Sequence, residues 1–273
     1  MTKFISEISS NHNRSLKRSI KLIKISKKIG FDIVKFQLFK IDQLFSKDVL
    51  KRSKKHRLRK NWELNEKYIK ILAKECRRIK IKFCVTPFYL SAVDVIKPYV
   101  DYIKIASYEI LWKELLIKCA RTKKPIIIST GMAKFEEVKN AIKILKKYGS
   151  KKIIVLHCVS NYPADINSLN LSSIGFLRKK LKTYVGWSDH SNSKLAILHA
   201  VEKWKSDYIE MHIDLDGKGN EFKAGHCWLP SRAKEVISFC KKRKKIDGKF
   251  QKKPSPQESD ERKFRADPID GLR

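Results

Sequence analysis

Residues 125–158 read PIIISTGMAKFEEVKNAIKILKKYGSKKIIVLHC. Two short apolar runs, PIIIST (125–130) and KIIVLHC (152–158), enclose EEVKNAIKILKKYG (136–149). Apolar residues in the middle segment recur at three- and four-residue intervals, the signature of a helix with one buried face. Gly149 stands where a helix C-cap belongs. The stretch therefore predicts a strand, a helix and a second strand.

The same unit repeats along the chain. Further strand-like runs are FISEIS (4–9), DIVKFQ (32–37), IKFCVT (81–86), DYIKIA (101–106), TYVGWS (183–188) and DYIEMH (207–212). With the first two, that makes eight. Helical periodicity returns in RSIKLIKISKKIG (18–30), closed by Gly30, and in SKLAILHAVEKW (193–204). Eight alternations of strand and helix predict an α/β protein with a parallel sheet closed into a (β/α)8 TIM barrel. The competing architecture is an open doubly wound sheet, but no GxGxxG opens a helix. The barrel is expected over residues 1–246, followed by an extended polar arm at 247–273. Residues 38 to 63 read as one long loop on the face where barrels carry chemistry.

Composition narrows the function classes. Of 273 residues 42% are apolar, enough for a large core, and the formal net charge is +34. No apolar run approaches the roughly 20 residues that cross a bilayer. The start MTKFISEISSNH lacks the pattern of a secretory signal, so a cytoplasmic protein without membrane contact is expected. Lysine is spread over the whole chain. Two denser runs, KRSKKHRLRK (51–60) and KKRKKIDGKFQKK (241–253), read as solvated faces rather than a nucleic-acid surface, and the first lacks interleaved aromatics. The six cysteines form no CxxC pair and read as reduced, mostly buried thiols.

Polarity gathers where the strands end. In order come Glu7, Lys35 with Gln37, Thr86, Lys104, Ser129 with Thr130, His157, Ser188 with Asp189 and His190, and Glu210 with His212. Ser107 and Glu109 lie just past the fourth run. In a barrel all of these converge on one rim. A lysine inside an apolar strand is costly to bury without an anionic partner. Lys35 and Lys104 amid hydroxyls describe a phosphate-and-carboxylate pocket; the plainer reading of either is an ion pair to Glu7 or Glu109. His190 and His212 end consecutive strands, and with carboxylates nearby they suit Mn2+, Fe2+ or Zn2+. The plainer reading there is hydrogen bonding to backbone. Asp189 is expected to orient the site or a bound water, and His12 could lie on the rim. His56 and His199 receive no role.

These motifs together resemble the N-acetylneuraminate (sialic acid) synthase family, which includes synthases of legionaminic and pseudaminic acids. The matching segments are SEISSNHNRSL, VKFQLF, VTPF, YIKIAS, PIIISTGM, LHCVSNYP, GWSDHS and IEMHIDLD, in order from residue 6 to 216, with FRADPIDGLR at the end. The resemblance implies a (β/α)8 enzyme condensing phosphoenolpyruvate with an N-acetylated hexosamine such as N-acetylmannosamine. Water is consumed, and a nine-carbon 2-keto acid and phosphate are released. It implies that Lys35, Thr86, Lys104, Ser107, Ser129, Ser160 and Ser188 hold phosphoenolpyruvate. Glu7, Gln37, Glu109 and Tyr162 would face the sugar, and His190 and His212 would bind a divalent metal, usually Mn2+, with Mg2+, Fe2+ or Zn2+ as alternatives. Glu7, Lys35 and Lys104 are the expected catalytic groups.

The sequence departs from the family in three places. Family members typically continue into an antifreeze-like domain that supplies an arginine to the partner subunit's sugar site, and this chain stops soon after the barrel. A second copy in a homodimer, or a separate antifreeze-like protein, is the expected partner. The segment after the second strand is basic and offers no assignable sugar-contacting Asn. After His212 the chain reads GKGNEFKAGHCW (217–228), with Glu221 as the stand-in for an acidic sugar contact. Two other functions fit parts of the pattern: a 3-deoxy-aldulosonate phosphate synthase using the basic 51–60 segment for a sugar phosphate, and a non-enzymatic nucleic-acid-binding barrel.

Overall fold

A computed structural model describes Thr2 to Leu272. It separates into one unit through Lys241 and a second from Lys242. Among the described residues, eight strands close a parallel barrel in chain order. They are β1 (Lys3–Glu7), β2 (Ile33–Leu38), β3 (Lys82–Pro87), β4 (Tyr102–Ile105), β5 (Ile126–Ser129), β6 (Ile153–His157), β7 (Tyr184–Asp189) and β8 (Tyr208–His212). Closure is made by β1 against β8, with Glu7 opposite His212. The expected (β/α)8 barrel is the observed one, and each strand lies within two residues of its expected bounds.

Local chemistry accounts for the helices between strands. The helix Leu16–Ile29 begins at Ser15, whose side chain accepts from Arg18 N, and ends at Gly30 in the left-handed region at φ 107°. The quoted stretch forms Phe135–Lys147, buried through Val138, Ala141, Ile142 and Leu145. Those positions are spaced three, one and three apart, one face of a helix.

The segment after β2 differs from expectation. Instead of an open loop it carries the short helices Ile41–Leu44, Lys47–Arg52 and Lys54–Leu58 and a 3₁₀ turn, Arg59–Trp62. Ser46 and Ser53 accept from Val49 N and His56 N at two of the helix starts. Short serine-capped helices of this kind have too few turns for periodicity to reveal them.

Alternation along the strands sorts the barrel interior into layers. Ile5, Ile33, Cys84, Tyr102, Ile127, Ile154, Leu156 and Tyr208 form a closed apolar cluster inside the barrel. Two residues further along each of several strands, the same inward face turns polar: Glu7, Lys35, Thr86, Lys104, Ser129, Ser188 and Glu210 are all buried. The period of two is strict, so the apolar floor and the polar mouth are set by the same register.

The second unit contains two 3₁₀ turns, Pro256–Glu258 and Glu261–Phe264. Leu272 N donates to Lys263 O at 2.7 Å.

Candidate active site

The polar layer is organised by one carboxylate that the strand-end reading left without a role. Glu210, on β8, accepts both bonds of Lys104 Nζ, at 3.0 and 2.9 Å. Lys35 Nζ lies 3.2 Å from its Oε1, and Ser188 Oγ donates to the same oxygen at 3.0 Å. Lys35 also pairs with Glu7, whose Oε1 accepts from Gln37 Nε2 at 3.2 Å. Both lysines thus have the anionic partners that burial demands. The partners are Glu7 and Glu210; Glu109 stands apart from them.

Burial and pairing push these groups in opposite directions. Burial opposes charge on Glu210, but Lys104 and Lys35 outweigh it and hold the carboxyl below its usual range. Burial raises Glu7, with Lys35 only partly offsetting it. Burial works against Lys35 too, yet Glu210 and Glu7 hold its ammonium above the ordinary value. Burial lowers Lys104. Whenever Glu7 holds its proton, the cluster carries more positive than negative charge. Such a cluster favours an anionic ligand.

Around it lies a shell of hydroxyls. Thr86 Oγ1, Ser129 Oγ and Ser160 Oγ are buried with no hydrogen-bond partner in the protein. Orphaned buried hydroxyls are rare and call for a reason. Ser107 Oγ meets Cys158 Sγ at 3.2 Å, and Gly131 N donates to the same sulfur at 3.2 Å. A Cβ on Gly131 would sit 2.6 Å from both Ser107 Oγ and Ser160 Oγ. Only glycine lets the two serines close on that backbone. Glu109, after β4, is buried with its Oε2 unpartnered, and burial raises its carboxyl to about 7.

The opposite side of the mouth gathers histidines. His190 and His212 have ring centroids 5.4 Å apart, and Tyr162 packs on His190 at 4.1 Å. His190 Nδ1 bonds to Val159 O at 2.6 Å, which leaves Nε2 for a ligand, the usual outer arrangement of a metal-binding imidazole. Burial, then His212, lowers His190 to about 3, so it is neutral near pH 7. His212 Nδ1 lies 3.3 Å from Glu221 Oε2 without a well-directed hydrogen bond. His226 Nε2 lies 3.6 Å from that same oxygen, and His226 Nδ1 is also buried and unpartnered. Cys227 completes the group: donor atoms of His212, Glu221, His226 and Cys227 all lie within 4.8 Å of one another. Imidazoles, a carboxylate and a thiol, with His212 Nδ1 and His226 Nδ1 unpartnered, fit a divalent cation.

Docking of the segment after β8 creates this cluster. Trp228 N donates to His212 O at 2.7 Å, and Asp214 N to Trp228 O at 3.0 Å. Asn11 Oδ1 accepts from Glu221 N at 2.9 Å, while its Nδ2 donates to Ile213 O at 3.0 Å. Gly219 passes so near that an added Cβ would lie 2.4 Å from Asn11 Oδ1.

Residues 22–252 match the profile of the NeuB family. The chain belongs to that family. It is 34% identical to the N,N'-diacetyllegionaminic acid synthase of Legionella pneumophila over 276 residues, covering 94% of this chain and 77% of that protein. It is 36% identical to the N,N'-diacetyllegionaminic acid synthase of Campylobacter jejuni over 228 residues, covering 79% of this chain and 68% of that one. The crystal structure of the N-acetylneuraminic acid synthetase of Leptospira borgpetersenii superposes with a TM-score of 0.83 at 28% identity. That match covers 96% of this chain and 90% of the other. The family resemblance carried by the strand-end motifs is thereby confirmed.

Within this NeuB-family barrel, several strand-end residues point away from the mouth. His157 Nε2 bonds to Leu169 O at 2.8 Å, and Thr130 Oγ1 donates to Leu156 O at 3.4 Å. Both have the outward parity of their strands. Asp189 also faces outward. It accepts from Ser191 N at 2.7 Å, Ser191 Oγ at 2.6 Å and Trp228 Nε1 at 2.8 Å, so it anchors backbone and tryptophan rather than a site water. His226, Cys227 and Gly131 were missed. The signal for the first two was the unusual GHCW ending of the segment after β8; for the glycine there was none.

Among the described residues, no helix is long and apolar enough to cross a membrane.

Proposed function

We propose that this chain condenses phosphoenolpyruvate with the open-chain aldehyde of an N-acetylated hexosamine, N-acetylmannosamine or a relative, to give a nonulosonic 2-keto acid and phosphate. The observation that carries the proposal is the set of unpartnered buried hydroxyls on Thr86, Ser129 and Ser160 beside the Lys35–Lys104 pair. Phosphoenolpyruvate offers a phosphate and a carboxylate. Charge-assisted hydrogen bonds from ammonium and hydroxyl donors are the strong kind. The relatives are synthases of legionaminic and sialic acids, which supports the same reading.

Each group then has a task. Lys35 and Lys104 neutralise the anion and keep it oriented, with Ser107, Ser160 and Ser188 completing the donor set. Glu7, whose proton is held more tightly than usual, is positioned to exchange a proton as water adds at C2 of phosphoenolpyruvate. Gln37, Glu109 and Tyr162 would face the sugar. His212, with His190 beside it, would hold a divalent cation, Mn2+ by family resemblance, which when bound supplies Lewis acidity toward the sugar aldehyde.

The test is a phosphate-release assay with phosphoenolpyruvate, Mn2+ and a panel of N-acetylated hexosamines, neutral hexoses and arabinose 5-phosphate. Release with an N-acetylated hexosamine and not with the sugar phosphate is the expected result. Release only with the sugar phosphate, or with none of the panel, would overturn the proposal.

A further inference from the structure

We propose that the segment after β8 builds a four-donor metal shell from His212, Glu221, His226 and Cys227, suited to Zn2+ rather than Mn2+. The inference rests on the synthase reading in sharing His212 with it, and it replaces the Mn2+ of the family resemblance with Zn2+ at that one histidine.

Three observations carry it. The first is spacing. His212 Nδ1 and Glu221 Oε2 are 3.3 Å apart, His226 Nε2 and Glu221 Oε2 3.6 Å, and His226 Nε2 and Cys227 Sγ 3.8 Å. Bonds of about 2.0–2.3 Å in a tetrahedron put ligand atoms roughly 3.3–3.8 Å apart. These three pairs already stand at the edges of such a shell, and all four donors lie within 4.8 Å of one another.

The second is donor chemistry. Two neutral imidazoles, a carboxylate and a thiolate bring two negative charges to a dication, so the filled shell is electrically neutral. Neutrality suits a site where all four residues are buried or nearly so. A sulfur donor selects a borderline ion such as Zn2+, whereas Mn2+ prefers oxygen.

The third is support from outside the shell. Asn11 holds both ends of the segment: its Oδ1 accepts from Glu221 N at 2.9 Å and its Nδ2 donates to Cys227 Sγ at 3.4 Å. Ser9 Oγ donates to the other oxygen of Glu221. Burial works against a thiolate at Cys227 and the Asn11 donor offsets part of that cost, and outer partners of this kind orient metal ligands. His190 remains beside the ion through its contact with His212, outside the four.

The test uses the full chain, stripped with EDTA and titrated with Co2+ as a spectroscopic substitute for Zn2+. Expected are saturation near one equivalent, intense visible bands of a tetrahedral ion, and a thiolate-to-cobalt charge-transfer band in the near ultraviolet. Cys227→Ser should abolish the charge-transfer band. Loss of even an outer partner costs roughly 10–100-fold in metal affinity, so His226→Ala should weaken Zn2+ by at least about tenfold. His190→Ala should keep both sets of bands. A wild-type complex without the thiolate band overturns the proposal, as does failure to bind Co2+ at all. Binding lost in His190→Ala but unchanged in His226→Ala overturns it in favour of a two-histidine site. If His226→Ala misfolds, the wild-type and Cys227→Ser spectra still decide. Calorimetry of phosphoenolpyruvate on the stripped protein reads the synthase proposal separately.

Discussion

The two sides of the barrel mouth are built by different means. The anion side draws Lys35, Thr86, Lys104, Ser129 and Ser188 from strands, where parallel register fixes which residues face inward. The histidine side draws Glu221, His226 and Cys227 from a connection that leaves β8, passes a 3₁₀ turn at Phe222–Ala224 and returns to pair Trp228 with Ile213. Strand-borne groups inherit their aim from the sheet. Loop-borne groups need dedicated anchors, here Asn11, Asp189 and Gly219.

The hardest blow to the anion side is Lys104→Met. It removes a buried ammonium and leaves Glu210 with Lys35 as its remaining cation. Phosphoenolpyruvate binding should vanish in calorimetry. Because breaking a buried pair costs about 3–5 kcal/mol, chemical denaturation should also show a large loss of stability. Retained affinity would show that the ring of lysines and hydroxyls is only structural.

The next effect is pH-dependent. Burial raises the Glu109 carboxyl from 4.5 to about 7, so the folded chain holds that proton where the unfolded chain releases it. The stabilisation is complete below the unfolded value of 4.5 and is lost as pH rises through about 7. Denaturation of wild type and Glu109→Gln at the two ends of that window should differ by on the order of 2–3 kcal/mol in their relative stability. Parallel stability curves would show that burial does not hold the proton on Glu109.

A smaller change separates ligand-directed hydroxyls from structural ones. Thr86→Val deletes a hydroxyl that has no partner in the protein. Stability should hold or rise, while phosphoenolpyruvate affinity falls by about 10–100-fold, the worth of a hydrogen bond to a charged group. Lost stability with unchanged affinity would mark Thr86 as part of the frame.

The smallest expected effect lies outside both halves. Lys54 and Lys55 are exposed on a short helix. Changing both to serine should alter phosphoenolpyruvate affinity by about twofold or less at physiological ionic strength, where the Debye length is about 8 Å. A larger drop would give the basic segment a place in substrate capture.

Legibility followed the same divide. Apolar runs at regular spacing and helices with one buried face announced the barrel, because a period of two and a period of 3.6 leave their mark on any sequence they govern. The inward parity of Lys35, Thr86, Lys104 and Ser129 could be read from the same runs. Thr130, His157 and Asp189 were misplaced for a related reason. A residue at a strand's end shares the rim whichever way it points, and only register shows that these three face outward.

Sequence alone was enough to establish the eight-fold alternation, the polar strand ends and the family. Tertiary structure decided that Glu210 holds both lysines, that Gly131 admits Ser107 and Ser160, and that His226 and Cys227 stand beside His212. The physical reason is range. Periodicity is a local property of a chain, written in neighbouring residues. A contact between Asn11 and Glu221 joins positions about 200 residues apart, through hydrogen bonds that exist only once β1 and β8 have closed the barrel.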